Sequence, residues 1–231
     1  MRREPHSSRE EWLSARYSYL TATDAAVIMG DSPWKSDSEL WDEKALHKAQ
    51  PDISDKPYIQ YGVKSEEHIR QLAMLDLPYF QLEYHPYDLL VSEELPFLAC
   101  TLDGELTVSS SDNPWGLPEG SKGILECKTG SFRGKRDLEQ WEFLPEHYIW
   151  QGVHQMLVTG WDYVIFACRI RRDGFREEDQ GFPEIRTMYR ILDRRSQGIR
   201  YQIADLKEAE EGFWKMVREG RRPPRKIRIR T

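Results

Sequence analysis

Apolar residues recur along this chain with two different periods, and the order in which the periods alternate predicts the architecture. The segments SREEWLSARYSYL and TATDAAVIMG both read as helices, the second capped by Thr21 or Thr23 and stopped by Gly30. SPWKSDSELWDEKAL reads as a turn followed by a short helix. In YIQYGVKSEEHIRQLAMLD, the residues Val63, Ile69, Leu72, Ala73 and Leu75 suit a longer amphipathic helix that ends near Pro78. The pattern then changes. FQLEYHPYDLLV, FLACTLDGELTV and KGILECKT carry aromatic and branched residues between Gly, Pro, Asn and Asp signals, as strands of a meander would. Helical spacing returns in LPEHYIWQGVHQMLVTG, where Pro145 fits the first turn, Ile149, Val153, Met156 and Leu157 form an apolar face, and Gly160 stops the helix. YVIFACRI is a continuous apolar run of strand length, IRTMYRIL can pair beside it, and a last helix covers RSQGIRYQIADLKEAEEGFWKMVREG. This order predicts an α/β chain with a mixed central sheet flanked by helices, and it contains no internal repeat.

Composition narrows the class. The chain has 231 residues, 39% hydrophobic and 31% charged, and reads as a single domain over residues 1–220 with a basic tail over 221–231. No apolar run approaches the roughly 20 residues of a spanning helix, and MRREPHSSREEW lacks the apolar centre of a signal peptide, so no membrane partner and a cytoplasmic setting are expected. Cys100, Cys127 and Cys168 lie far apart in apolar contexts, which favours reduced, buried thiols over a disulfide framework. The net charge of −6 hides an asymmetry. Arg221, Arg222, Arg225, Lys226, Arg228 and Arg230 crowd the tail, and subtracting these six from −6 leaves −12 on the remainder. Two readings of the tail stand: a solvated end, or a contact with phosphate or an acidic partner.

Within the strand-rich middle, TLDG supplies Asp103 and ECK supplies Glu126 and Lys128. Residues two apart on a strand share a face, so Glu126 and Lys128 point one way and Cys127 points the other way, into the core. If the two segments are neighbouring strands, two carboxylates and an ammonium converge. Together with the Cys127 carbonyl, these oxygens suit Mg²⁺ or Mn²⁺ and hydrolysis of a phosphodiester. Lys128 would then orient or deprotonate the attacking water, its pKa lowered by burial and the adjacent cations. The spacing occurs by chance in many charged proteins, and taken alone it favours a hairpin carrying surface charges.

Further residues extend the pattern. Glu66 follows Gly62 by four positions in YGVKSEEHIR, and Gln151 lies in the YIWQGVHQMLVTG helix. Gly62 to Glu66, TLDG, ECK and Gln151 resemble, in order, the motifs of the PD-(D/E)xK nucleases, and within them the lambda-exonuclease and YqaJ-type phage recombination nucleases. Upstream, EEWLSARYSYLTATDAAVIMG is similar to that group's W-x-x-x-R and T-A-S segments. The resemblance covers residues from about 10 to 170. It departs from the pattern in threonine for serine at Thr23 and Thr101, in Leu102 where proline is usual, and in Val153 where a second glutamine is frequent.

The resemblance implies a restriction-endonuclease-like (PD-(D/E)xK) fold. It implies a catalytic set of Glu66, Asp103, Glu126, Lys128 and Gln151, with two Mg²⁺ (or Mn²⁺) ions held by Asp103, Glu126, the Cys127 carbonyl and Glu66. A pocket of Arg16, Thr23 and Thr101, with Trp12 close to the DNA, would receive a 5′-phosphate. The implied activity is a 5′-to-3′ exonuclease that degrades one strand of linear double-stranded DNA for recombination. The implied partners are DNA ends, a single-strand annealing protein and two further copies in a ring-shaped homotrimer, in a bacterial host of phage or prophage DNA. An endonuclease on the same scaffold and a catalytically silent DNA-binding protein are the competing readings. The four cysteines of an iron–sulfur cluster are absent, so no cluster is expected. His154 is assigned to supporting the site or touching DNA; His147 and His154 lack a third nitrogen or sulfur ligand for zinc. Trp34, Trp41, Trp115, Trp150, Trp161 and Trp214 are assigned to core or rim, and none to base stacking.

Overall fold

A computed structural model describes residues 1–49, 51–173 and 184–224. The basic residues from Arg225 onward fall outside these. Of the tail, Arg222 is tied to the body by an ion pair with Asp42 (2.5 Å) and lies over the ring of Trp41.

The elements run β1 (Arg2–Glu4), α1 (Arg9–Arg16), α2 (Ala22–Met29), α3 (Asp37–Leu46), α4 (Pro57–Asp76), β2 (Phe80–Glu83), β3 (Leu89–Val91), β4 (Ala99–Cys100), β5 (Gly104–Val108), β6 (Lys122–Phe132), α5 (Lys135–Gln140), α6 (Glu146–Thr159), β7 (Tyr163–Arg172), β8 (Ile185–Asp193) and α7 (Gln197–Arg218). The main sheet has strand order β2-β5-β6-β7-β8, antiparallel except for β6 and β7. That parallel pair needs a crossover, and α6 lies in it.

Alternation along the two central strands separates two cores. Ile124, Val164, Phe166 and Cys168 pack with α2, α6 and α7 on one face, while Leu125, Cys127, Ile165 and Ala167 pack with Ile69 and Ala73 of α4 on the other. Burial of both faces is why YVIFACRI reads as an unbroken apolar run. The expected mixed sheet with helices on both sides is therefore present.

The middle of the chain is not one meander. β4 joins β3 and the unforeseen β1 in a separate three-stranded sheet, β1-β3-β4, whereas β5 belongs to the main sheet. FLACTLDGELTV is thus cut at Thr101–Asp103, and those three residues carry the chain from one sheet to the other. α1 also ends at Arg16, short of Leu20, which instead bridges to Leu98.

Candidate active site

The Thr101–Asp103 crossing meets the middle of β6. Gly104 pairs with Leu125, so Asp103 lies beside Glu126 and Cys127, and its Oδ2 accepts the Cys127 backbone N–H at 2.7 Å. Glu126 and Lys128 share the α6 face of the sheet, as their spacing predicts, and Lys128 Nζ donates to Glu126 Oε1 at 2.6 Å. Gln151 joins both: its Oε1 accepts from Lys128 Nζ at 2.7 Å, and its Nε2 donates to Glu126 Oε1 at 2.5 Å. Helix α6 reaches this close because Gly152 presents no side chain to the sheet; a Cβ there would come within 2.9 Å of the Phe166 ring.

The other oxygen of Glu126 is held by a residue the sequence reading passed over. Gln155 Nε2 donates to Glu126 Oε2 at 2.6 Å. The expectation that Val153 replaces a second polar contact is corrected: Val153 is a buried core residue, and Gln155, one turn after Gln151, supplies the amide. Helical spacing of four positions was the available signal.

Glu66 approaches from α4, on the far side of the sheet. Burial pushes its carboxyl above the usual range; Arg70 opposes this, and Glu126 adds to it. Burial likewise pushes Asp103 well up, with repulsion from Glu126 and Glu66 outweighing Lys128 and the Cys127 N–H. Arg70, four residues after Glu66, donates to the Asp103 carbonyl at 3.4 Å and lies over the Tyr84 ring at 3.7 Å. For Lys128, burial acts downward but Glu126 and Asp103 prevail, so its pKa is raised. Burial acts in the expected direction, and the surrounding carboxylates act against it. Its Nζ also lies 4.7 Å from the centre of the Tyr148 ring.

Three carboxylates against Lys128 and Arg70 make an oxygen-rich, electron-rich cleft, and that donor chemistry fits a hard divalent cation. Among the described residues no group of three or more His, Cys, Asp or Glu side chains is arranged to hold a metal. Glu126 is occupied by Lys128, Gln151 and Gln155. Asp103, Glu126 and the Cys127 carbonyl are the groups a cation would take, with Glu66 from α4.

A cavity of about 470 Å³ opens beside the other end of the crossing and is lined by Arg9, Trp12, Arg16, Thr23, Asp24, Lys35, Glu43 and Lys44 among others. Arg16 packs over the Trp12 ring at 4.5 Å, and Trp12 Nε1 donates to Thr101 Oγ1 at 2.8 Å. Thr21 is the N-cap of α2, in a capping box with Asp24, and its Oγ1 lies 3.4 Å from that of Thr23. Lys35 pairs with Glu43 (2.7 Å) and Lys44 with the buried Asp24 (3.1 Å). Arg16 forms no ion pair among the described residues, and its burial lowers its pKa despite Asp24 and Glu43. The lysine pairs were missed because their members stand far apart in sequence.

His154 does not face solvent. It is fully buried, with Nδ1 2.6 Å from Glu210 Oε1 on α7 and Nε2 3.0 Å from the Ala99 carbonyl. A DNA contact is excluded; the ring instead ties α6 to α7 and to β4, two residues before Thr101. Burial acts to lower its pKa, but Glu210 and the Ala99 carbonyl prevail and raise it.

Both the sequence and the fold match known proteins. The sequence matches the YqaJ-like viral recombinase domain over residues 11–162. It is 27% identical over 167 residues to the uncharacterized protein YqaJ of Bacillus subtilis (strain 168), a match that takes in 68% of this chain and 44% of that relative's length. Three solved structures share the fold. LHK-Exo in complex with dAMP matches with TM-score 0.57 and 18% identity, over 91% of this chain and 93% of that one. The alkaline exonuclease LHK-Exo from Laribacter hongkongensis matches with TM-score 0.52 and 19% identity, over 91% and 97%. A phage-related exonuclease from Haemophilus somnus 129PT matches with TM-score 0.51 and 14% identity, over 87% and 96%. The scaffold is thus of the restriction-endonuclease-like PD-(D/E)xK type, and the chain belongs to the family of YqaJ-like viral recombinase domains.

Proposed function

We propose that this protein is a divalent-metal-dependent deoxyribonuclease that removes nucleotides 5′ to 3′ from one strand of linear double-stranded DNA. The observation that carries the reading is the bonded cluster of Glu126, Lys128 and Gln151 beside Asp103, on a fold shared with an alkaline exonuclease and a phage-related exonuclease.

Asp103, Glu126, the Cys127 carbonyl and Glu66 would hold Mg²⁺ or Mn²⁺, two ions to a site. When bound, the metal supplies charge neutralisation at the phosphate and activation of water. The chain's own groups do the rest. Gln151 and Gln155 fix both oxygens of Glu126, so that its carboxylate presents a single orientation. Lys128, charged among carboxylates, brings a positive charge to where negative charge accumulates during displacement. Arg70 steadies the Asp103 segment through its carbonyl.

The cavity at Arg16 and Thr23, to which Thr101 is joined through its bond to Trp12, receives the terminal 5′-phosphate. A guanidinium without a carboxylate partner, next to hydroxyls, supports this assignment. The neighbouring lysines are already neutralised by Glu43 and Asp24. The family resemblance further implies a ring of three copies around the duplex and transfer of the exposed strand to an annealing protein; the mass of the protein in solution tests the ring.

The deciding experiment offers linear 5′-phosphorylated, linear 5′-hydroxyl and closed circular duplexes, with Mg²⁺ or with EDTA. Degradation of the phosphorylated linear duplex in Mg²⁺ alone is expected. Cutting of the closed circle would replace the reading with an endonuclease, and cutting in EDTA would remove the metal from it.

A further inference from the structure

Trp34 is 75% exposed, which by itself means little, since single apolar residues on a surface are ordinary. Its setting is not ordinary. The loop after α2 is fastened at several points: Asp31 and Ser32 N–H groups donate to the Ala26 carbonyl at 2.8 and 3.0 Å, and Asp31 Oδ2 accepts Trp150 Nε1 at 2.6 Å. Ser32 Oγ accepts the backbone N–H groups of Trp34 and Lys35, each at 3.3 Å. The indole is therefore held out to solvent by a tied loop. Its ring meets His147 edge to face, with centroids 4.8 Å apart, and His147 meets Tyr148 in the same manner at 4.2 Å. Tyr148 is the ring beneath the Lys128 ammonium. A short series of rings thus leads from the cleft to one open aromatic face. Burial and the nearby Lys128 lower the pKa of His147, which keeps its ring neutral and suited to packing against aromatics.

We propose that Trp34, braced by His147, is a stacking site for a nucleobase of the DNA strand whose phosphate lies at Lys128. The inference rests on the nuclease reading of that cleft and adds to it a base-binding residue. Stacking on a flat ring discriminates little among bases, because each has a π face, so the site grips the strand without selecting sequence. It also changes the rim assignment that the sequence supports for Trp34.

The test measures binding rather than cutting, with Ca²⁺ in place of Mg²⁺, to a fluorescent duplex with a 5′-phosphorylated end. A companion set carries one abasic residue at each of the first few positions of that strand. Trp34→Ala is expected to weaken binding roughly 5- to 150-fold, and Trp34→Phe to restore most of it. One abasic position should produce a comparable loss with the unaltered protein and no additional loss with Trp34→Ala. Unchanged binding by Trp34→Ala overturns the proposal, as does a loss that adds to every abasic position. A change in mass of the Trp34→Ala protein in solution would overturn it too, assigning the ring to a contact between copies. Unaltered protein that binds ends but does not cut them in Mg²⁺ removes the nuclease reading alone, whereas normal cutting with an indifferent Trp34→Ala removes this proposal alone.

Discussion

The two sites at either end of the Thr101–Asp103 crossing differ in how their charges are paired. The cleft at Asp103, Glu126 and Glu66 holds more carboxylate than its cations offset, and burial and repulsion raise the pKa of both Asp103 and Glu66. The pocket at Arg16 holds a guanidinium with no direct ion pair among the described residues, because its carboxylates Glu43 and Asp24 are bonded to Lys35 and Lys44. One site has carboxylates in excess of its cations, and the other has a guanidinium that no carboxylate bonds. A metal cation and a phosphate are the ligands that suit these two arrangements, and a DNA end in Mg²⁺ brings both.

The sharpest way to break the comparison is to remove charge from the cleft. Lys128→Ala is expected to lower the cleavage rate by about 10³-fold or more, measured as nucleotide release from linear duplex by folded protein. Asp103→Asn should also abolish activity yet raise the melting temperature of the metal-free protein, because it relieves repulsion with Glu126 and Glu66. A lower melting temperature would show that the cleft is not over-charged.

The pocket should respond differently. Arg16→Ala is expected to reduce the preference for 5′-phosphorylated over 5′-hydroxyl ends by about 10- to 100-fold, and to leave the metal dependence in place. An equal loss on both ends would dissolve the distinction between the two sites. Gln155→Leu, which leaves Glu126 Oε2 without its donor, should lower activity about 10- to 100-fold, with the 5′-end preference intact.

A smaller effect is expected where the two sites share a support. Because His154 has a raised pKa in the folded protein, its contribution to stability is fully present below its unfolded value of about 6.5. That contribution is lost as pH rises through the higher folded value. The stability difference between the unaltered protein and His154→Gln, followed by denaturant titration, should therefore shrink from acid toward alkaline pH.

Much of this could be read from the chain. The helices α2, α6 and α7 follow their apolar periods, whereas α4 buries only Ile69 and Ala73 and leaves Val63 and Leu75 of its expected apolar face exposed; the ECK and TLDG spacing located the cleft because strand alternation is a strict rule. What escaped has physical reasons. β1 is Arg2, Arg3 and Glu4, which give no apolar alternation, and it forms only because β3 offers an edge. The division of FLACTLDGELTV between two sheets is a tertiary choice, invisible in a run that reads as one strand. His154 carries the same imidazole whether it faces solvent or Glu210, and only the arrival of α7 decides between them. Gln155 was legible in principle, being one helical turn from Gln151.

The crossing has one more consequence. Thr101 and Asp103 have only Leu102 between them, so their Cα atoms cannot be more than about 7 Å apart even when the chain is fully stretched. Whatever group Thr101 grips and whatever bond Asp103 helps to break are therefore held at a separation set by covalent geometry. On the proposed reading the chain itself is a caliper, and the size of the fragment released at each step is fixed by the length of the Thr101–Asp103 segment.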